Sequence, residues 1–436
     1  MKRTHGKHLG FRDLSSVAGK KKHALAVWSF TLAFGAMAQQ ILAPPPLEFS
    51  QKAAVALPAG TNEAEMPQIV PIVPSNPDLP TWLNWGPVQL HPHLLYRFSY
   101  GDGIPVMPGQ SAKTAINELS PGFLLVLGDH WRLDFAPTTR LYSSKLFQNT
   151  TDQAVALNGS TTYRNWDLGL SQNYASTTTP TIETASLTSQ ETYATAINAT
   201  YHMSSAASLE LGFGQNFLFF DQNVAGQNLS NSRTWSTMDW LNYQFSPGFS
   251  AGIGAGWGYS EEQASPDTMD EQLQARITWR PGEKLTLKLA GGFQDQQFLD
   301  SNVPDSITPI FSLSAIYQIF DPTTITLAAS QTVSPSYFQS QSITSTTLIG
   351  GLRQRLFGRV FLDLSGGYSV GSYSGTTATA ASNSEQDTSS LNARLTCPLL
   401  RGGTASVFYQ GNWTSSSQPG FTYSSSQVGF ELGYRF

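Results

Sequence analysis

Beyond residue 90, apolar and polar side chains alternate almost one for one. The last stretch shows it most fully: Val428, Phe430, Leu432, Tyr434 and Phe436 alternate with Gly429, Glu431, Gly433 and Arg435. Between Ser250 and Ser260, Ala251, Ile253, Ala255, Trp257 and Tyr259 form one set, and glycines and serines form the other. Leu273, Ala275, Ile277 and Trp279 likewise alternate with Gln274, Arg276, Thr278 and Arg280. A period of two puts the two sets on opposite faces of a β-strand. Strands are predicted near 91–101, 112–127, 131–144, 152–163, 166–178, 189–203, 207–220, 232–245, 249–260, 268–280, 284–297, 308–319, 324–334, 343–356, 359–372, 387–399, 404–416 and 423–436. That makes eighteen; residues 140–190 also allow a count of sixteen.

The connections have a rhythm of their own. Tight turns at Ser246-Pro247-Gly248, Pro281-Gly282-Glu283, Asp321-Pro322-Thr323 and Phe357-Gly358-Arg359 use residues that supply turn backbone angles. Weaker turn signals stand at 128–130, 204–206 and 401–403. On the other side lie polar connections rich in Ser, Thr, Asn and Gln, at 175–190, 221–232 and 372–388. Short turns alternating with long polar loops are the rhythm of a membrane barrel whose turns are periplasmic. An even strand count leaves both chain ends on the turn side.

Composition narrows the class. Charged residues make up 13% of the chain, against about 25% in soluble domains. Mean hydropathy is −0.20, too low for a bundle of membrane helices but suited to a barrel whose two faces cancel. In lipid every backbone N–H and C=O must be paired inside the protein, which closed barrels achieve, and closure also removes exposed strand edges. The expected fold is therefore all-β: residues 91–436 form a single closed transmembrane antiparallel β-barrel of 16–18 strands, with short periplasmic turns and longer extracellular loops. A soluble β-helix or sandwich is the rival, but it has no use for outward aromatics near the turns of many strands.

The first 38 residues read as a secretory signal peptide. Lys2, Arg3, Lys7, Arg12 and Lys20 to Lys22 form a basic head, 24–34 is an apolar run, and Ala36-Met37-Ala38 offers a cleavage site. The run is short for a spanning helix. Removal of 1–38 takes seven of the 25 Lys+Arg and one of the 30 Asp+Glu, leaving 18 basic and 29 acidic residues and a formal charge of −11. No basic patch suggests nucleic acid. Residues 39–90 hold Pro44-Pro45-Pro46 and further prolines at 71, 74 and 77. They read as a Pro-rich periplasmic leader or linker, with a plug entering the barrel as the alternative and a periplasmic partner as its expected contact. Cys397, the single cysteine, cannot form an internal disulfide and reads as a small outward apolar residue.

The closing strand, with Val428, Phe430, Leu432, Tyr434 and a terminal Phe436, resembles the last strand of bacterial outer-membrane barrels. In those proteins the terminal aromatic is read by the barrel-assembly machinery. Together with the leader and the aromatic-x-x-Pro turns, residues 91–436 resemble the β-barrel porin families of Gram-negative bacteria, some of them associated with exopolysaccharide export. The resemblance implies an outer-membrane location, contact with outer-membrane lipid and porin activity. It carries no catalytic residue, and oligomeric state stays open.

With the apolar parity facing lipid, the other parity lines the lumen. The pore candidates are Arg276, Arg280, Lys288, Arg353, Arg355, Asp363, Arg394, Glu431 and Arg435. Mixed charge on a pore wall sets a transverse field that selects among ions and polar solutes; equally, such groups pair with one another and hold a filled lumen. Phe220, Trp240, Phe361 and Phe408 are inward aromatics, candidates for a sugar slide. The inward glycines at 252–258 ease curvature. His91, His93, His130 and His202 all fall near the turn end, which suits neither a lipase nor a protease of the outer leaflet, and two histidines at i, i+2 do not make a metal site. No cofactor, metal or catalytic site is expected. The expected function is a porin-like channel for passive passage of small polar solutes. The alternative is a barrel component of an envelope or exopolysaccharide secretion system, with a structural, partner-binding role and a filled lumen.

Overall fold

A computed structural model describes residues 83–181, 183–221, 229–263, 265–299, 304–375, 384–399 and 402–436. The expected signal peptide, its Ala36 and Ala38, and leader residues 39–82 lie outside the described residues. In chain order the strands are β1 (Leu83–Trp85), β2 (Val88–Met107), β3 (Gln110–Leu127), β4 (Trp131–Phe135) and β5 (Thr138–Tyr142). Next come β6 (Thr150–Tyr163), β7 (Trp166–Thr181), β8 (Ser186–His202), β9 (Ala207–Phe220) and β10 (Ser232–Ser246). Then β11 (Phe249–Glu262), β12 (Thr268–Trp279), β13 (Leu285–Phe298), β14 (Ser306–Phe320) and β15 (Thr323–Pro335). The last are β16 (Gln341–Leu356), β17 (Val360–Gly375), β18 (Ser384–Pro398), β19 (Gly403–Ser416) and β20 (Tyr423–Arg435).

From β2 onward each strand pairs antiparallel with the next, apart from β4 and β5, and β20 returns to pair with β2 through Arg435↔His93, Phe430↔Phe98 and their neighbours. The sheet therefore closes on itself. β4 and β5 are halves of one strand, since both pair with β3 on one side and β6 on the other. The break falls at Ala136-Pro137, where proline has no N–H for the ladder. Counted this way, eighteen strands close the barrel, the larger of the two counts the sequence allowed.

Several strands begin or end away from the expected positions; β2, for one, runs on to Met107 rather than 101. The first barrel strand starts at Val88 rather than 91, and β1 pairs with its first residues, Leu83↔Leu90 to Trp85↔Val88. β20 stops alongside His93, with the Phe436 N–H donating to Pro92 O at 3.0 Å. β1 thus covers the edge of β2 that β20 leaves open. The expected loop at 175–190 is mostly strand: β7 runs to Thr181 and β8 starts at Ser186. Its threonine-rich sequence reads as polar loop, but Thr is β-branched and sits well on a pleated surface.

The barrel turns its apolar parity outward. Leu273, Ile253 and Phe293 are 68%, 63% and 62% exposed, while Gln274 on the opposite face is 4% exposed. The groups buried inside are mostly polar, the inverse of a soluble core and the distribution that lipid outside and a polar interior demand.

Candidate functional site: the inner wall

Arg353 on β16 faces Asp363 on β17, Nε to Oδ1 3.6 Å, and Asp363 stands in register with Arg394 on β18. Arg394 donates twice to Glu431 on β20, at 2.7 and 3.1 Å. Ser406 Oγ donates to the same carboxylate at 3.1 Å. Arg97 on β2 sits between Glu431 and Glu118, at 3.6 and 3.9 Å. Glu118 then accepts from Arg140 Nε at 2.8 Å, and Arg140 also pairs with Asp152. The Thr178 N–H donates to Asp152 at 2.9 Å. Four guanidinium groups and four carboxylates thus alternate along the wall, from Arg353 near the turns to Asp152 near the loops. Opposite charges neutralise one another pairwise, so no member is a buried uncompensated charge.

A second, shorter set lies on another part of the wall. Arg276 on β12 reaches over β11 to donate to Asn242 at 2.9 Å and to Glu210 at 2.5 Å. It can span that distance because Gly252, between them in register, carries no side chain.

Aromatic rings lie beneath these cations. The Arg97 guanidinium is 4.1 Å from the Phe408 ring centre, and Arg276 is 4.4 Å from that of Trp240. Arg353 stands 5.0 Å over Phe361, and Arg394 5.9 Å from Phe408. Guanidinium groups stack well on aromatic faces. The rings lie flat because the adjoining wall is glycine: a Cβ on Gly254 would come within 2.6 Å of the Trp240 ring, and one on Gly429 within 2.7 Å of Phe408. These glycines are seats for rings as well as aids to curvature. Trp240 is 2% exposed and Phe408 6%. They are platforms for arginine, which corrects the reading of them as an open sugar slide; Phe220 packs on Tyr337 at 5.0 Å instead.

The remaining pore candidates spread along the wall. Lys288 is half-buried and in register with Thr278, on the face of Arg276. Arg280 follows the end of β12 at the turn and is exposed, with its N–H donating to Gly248 O at 2.6 Å. Arg355 is exposed one residue before the end of β16. Arg435 ends β20, half-buried. Arg280 joins Arg276, Glu210, His202, Asn242 and Gln244 around a cavity of about 290 Å³ at the turn end.

The histidines stay near that end as expected. His93 Nε2 lies 3.2 Å from Asp134 and His202 Nε2 lies 2.7 Å from Asp167. Among the described residues no group of three or more His, Cys, Asp or Glu side chains is placed to hold a metal ion.

At the loop end the connections meet. The β15–β16 connection (336–340) reaches the β7–β8 connection, which rises from the far side of the barrel. Glu183 accepts from Ser336 Oγ at 2.5 Å and from the Tyr337 N–H at 2.7 Å. Ser230 N–H donates to Tyr337 O at 2.8 Å, Ser340 N–H to Ser265 Oγ at 2.7 Å, and Phe338 packs on Phe421 at 5.7 Å. Burial, and then the nearby Glu183 carboxylate, holds the Tyr337 phenol well above its ordinary pKa. This arch narrows the mouth.

Arg97, Glu118, Arg140, Asp152 and Glu210 were not among the sequence candidates. Arg97 was within reach of the same reasoning: Leu94, Tyr96, Phe98 and Tyr100 mark the outward parity of β2 and leave Arg97 inward.

Residues 265–436 match the model of a family described as "Putative beta-barrel porin 2". The sequence resemblance to β-barrel porin families therefore holds over that stretch. No curated protein sequence matches the chain. Among solved structures, Pseudomonas aeruginosa OccK2 (OpdF) aligns with a TM-score of 0.45 and 12% identity, over 80% of this chain and 98% of its own. The outer membrane protein OprD from Pseudomonas aeruginosa gives 0.43 and 13%, over 80% and 93%. Acinetobacter baumannii OccAB3 gives 0.42 and 10%, over 80% and 99%.

Proposed function

We propose that this barrel is an outer-membrane, porin-like channel for passive passage of small polar solutes. The observation that carries the reading is the inner wall: a closed eighteen-strand ring with an apolar outside and a polar inside on which charges alternate in sign. A ring of that size is wide enough for an aqueous path. Paired charges leave the wall close to neutral while keeping a transverse field, which favours transit of polar solutes over tight retention. Ion selectivity in planar bilayers tests this. Replacing Arg276 and Lys288 by glutamine removes positive charge from one part of the wall and uncovers Glu210, so selectivity shifts toward cations. Conductance with unmoved selectivity would contradict the role given to this wall.

The loop arch favours a second reading, a secretion-system or structural barrel whose lumen is filled. Complete absence of conductance would support it.

In the same reading the chain is exported and cut after Ala38, which mass spectrometry of the mature amino terminus checks. Residues 39–82 remain on the periplasmic side, available to a partner. Phe436 serves the assembly machinery: Phe436→Ser lowers outer-membrane yield, and an unchanged yield would show the terminal aromatic to be dispensable.

A further inference from the structure

One part of the inner wall, near the turns, carries more hydrogen-bond donors than acceptors. Strand register sets out a row across β8–β12: His202, Ser208, Asn242, Gly252 and Arg276. The next row toward the turns reads Gln244, Ser250, Thr278 and Lys288. Serine and glycine fill little space, and the cavity of about 290 Å³ opens over them. A Cβ on Gly252 would come within 2.3 Å of Asn242 Oδ1, so a larger residue there would push into the row.

Charges here do not cancel as they do from Arg353 to Asp152. Glu210 is the one carboxylate among the described residues that line the cavity, and Arg276 already holds it at 2.5 Å. Asp167, outside the lining, lies 2.7 Å from His202 Nε2. Arg276 also donates twice to Asn242 Oδ1, at 2.9 and 2.6 Å. Among the described residues neither Asn242 Nδ2 nor Arg276 Nη1 meets an acceptor. Both atoms are covered, so they raise the local positive potential rather than offer contacts. Contacts fall to Arg280 and Gln244. Both line the cavity and are exposed, and neither side chain has a hydrogen bond or ion pair among the described residues.

We propose that this cavity binds a small, doubly charged oxyanion, of the size of phosphate or a short dicarboxylate such as succinate. The Arg280 guanidinium presents parallel N–H donors that match an edge of a phosphate or carboxylate group, and the Gln244 carboxamide supplies a further N–H. A cation would meet two guanidinium groups and no free carboxylate. An uncharged solute would leave Arg280 without a counter-charge. The volume lies at the lower end for small-molecule sites, too small for a chain of sugars. Within the channel reading, on which this assignment rests, the cavity is a polar station at the periplasmic mouth, and small dianions are among the solutes that pass.

Calorimetry on the mature protein in detergent micelles at low ionic strength, titrated separately with inorganic phosphate and with succinate, tests the site without requiring conductance. Saturable binding of at least one of them is expected. Arg280→Gln should weaken it about tenfold, as for the loss of one charge-assisted hydrogen bond. Ser250→Glu sets a carboxylate in the cavity and should abolish it. Arg359→Gln removes a charge from an exposed turn at the same end, elsewhere on the ring, and should leave the affinity unchanged. Absence of saturable binding of both anions overturns the proposal. So does binding that ignores Arg280→Gln and Ser250→Glu, or that Arg359→Gln weakens as much as Arg280→Gln does. A chain that conducts but binds neither anion loses this site and keeps the channel; one that binds but does not conduct loses the channel and keeps the site. The heat-shifted gel band of each variant separates these outcomes from failure of the barrel to fold.

Discussion

Glu431 shows how much one side chain on the wall holds. It takes two hydrogen bonds from Arg394 and one from Ser406, and it faces Arg97. Glu431→Gln leaves two buried guanidinium groups with one fewer anion. Breaking such a pair costs about 3 kcal/mol, so the urea midpoint of the refolded barrel should fall. Adding Arg97→Met should recover part of that loss, because the second change removes one of the stranded charges; independent, additive losses would show that Arg97 and Glu431 are not coupled. At this scale the sequence was half legible. Strand parity puts Arg353, Asp363, Arg394 and Glu431 on one face of the sheet, where ion pairs join them. It could not extend the chain of charges to Arg140, because the break at Pro137 hides which residues of that broken strand share a face.

At the level of strands, alternation located the elements and missed where polar ones end. β7 and β8 continue through threonine and serine that face a polar interior, so composition alone cannot tell them from loop. Glycine does more here than its place in an alternating strand indicates. The run Gly252 to Gly258 looked like relief for curvature, whereas Gly254 seats the Trp240 ring on which Arg276 rests. Gly254→Val should force the ring off the wall at a cost of about 2 kcal/mol, as for other overpacked sites, and disturb the Arg276–Glu210 pair. Trp240 fluorescence and the urea midpoint report it; an unchanged spectrum and midpoint would mean that the ring has room to move. Gly366→Ala, where an added Cβ has no near contact closer than 3.6 Å, provides the comparison.

For the whole molecule, closure was the most legible property, since an even number of alternating strands with short turns on one side has few other ways to satisfy its backbone in lipid. The arch over the mouth was not legible, because Glu183 and Ser336 lie 153 residues apart and only the closed ring brings them together. The central claim is that a water-filled path runs through this ring. Single-channel recording in planar bilayers tests it most directly, using the mature chain and a chain lacking residues 39–82, a cut that leaves β1 in place on the edge of β2. Discrete, passive conductance steps from the mature chain are the predicted result, and steps that appear only after the cut would place the leader in the lumen. Absence of conductance from both chains, with the heat-shifted band intact, would contradict the account.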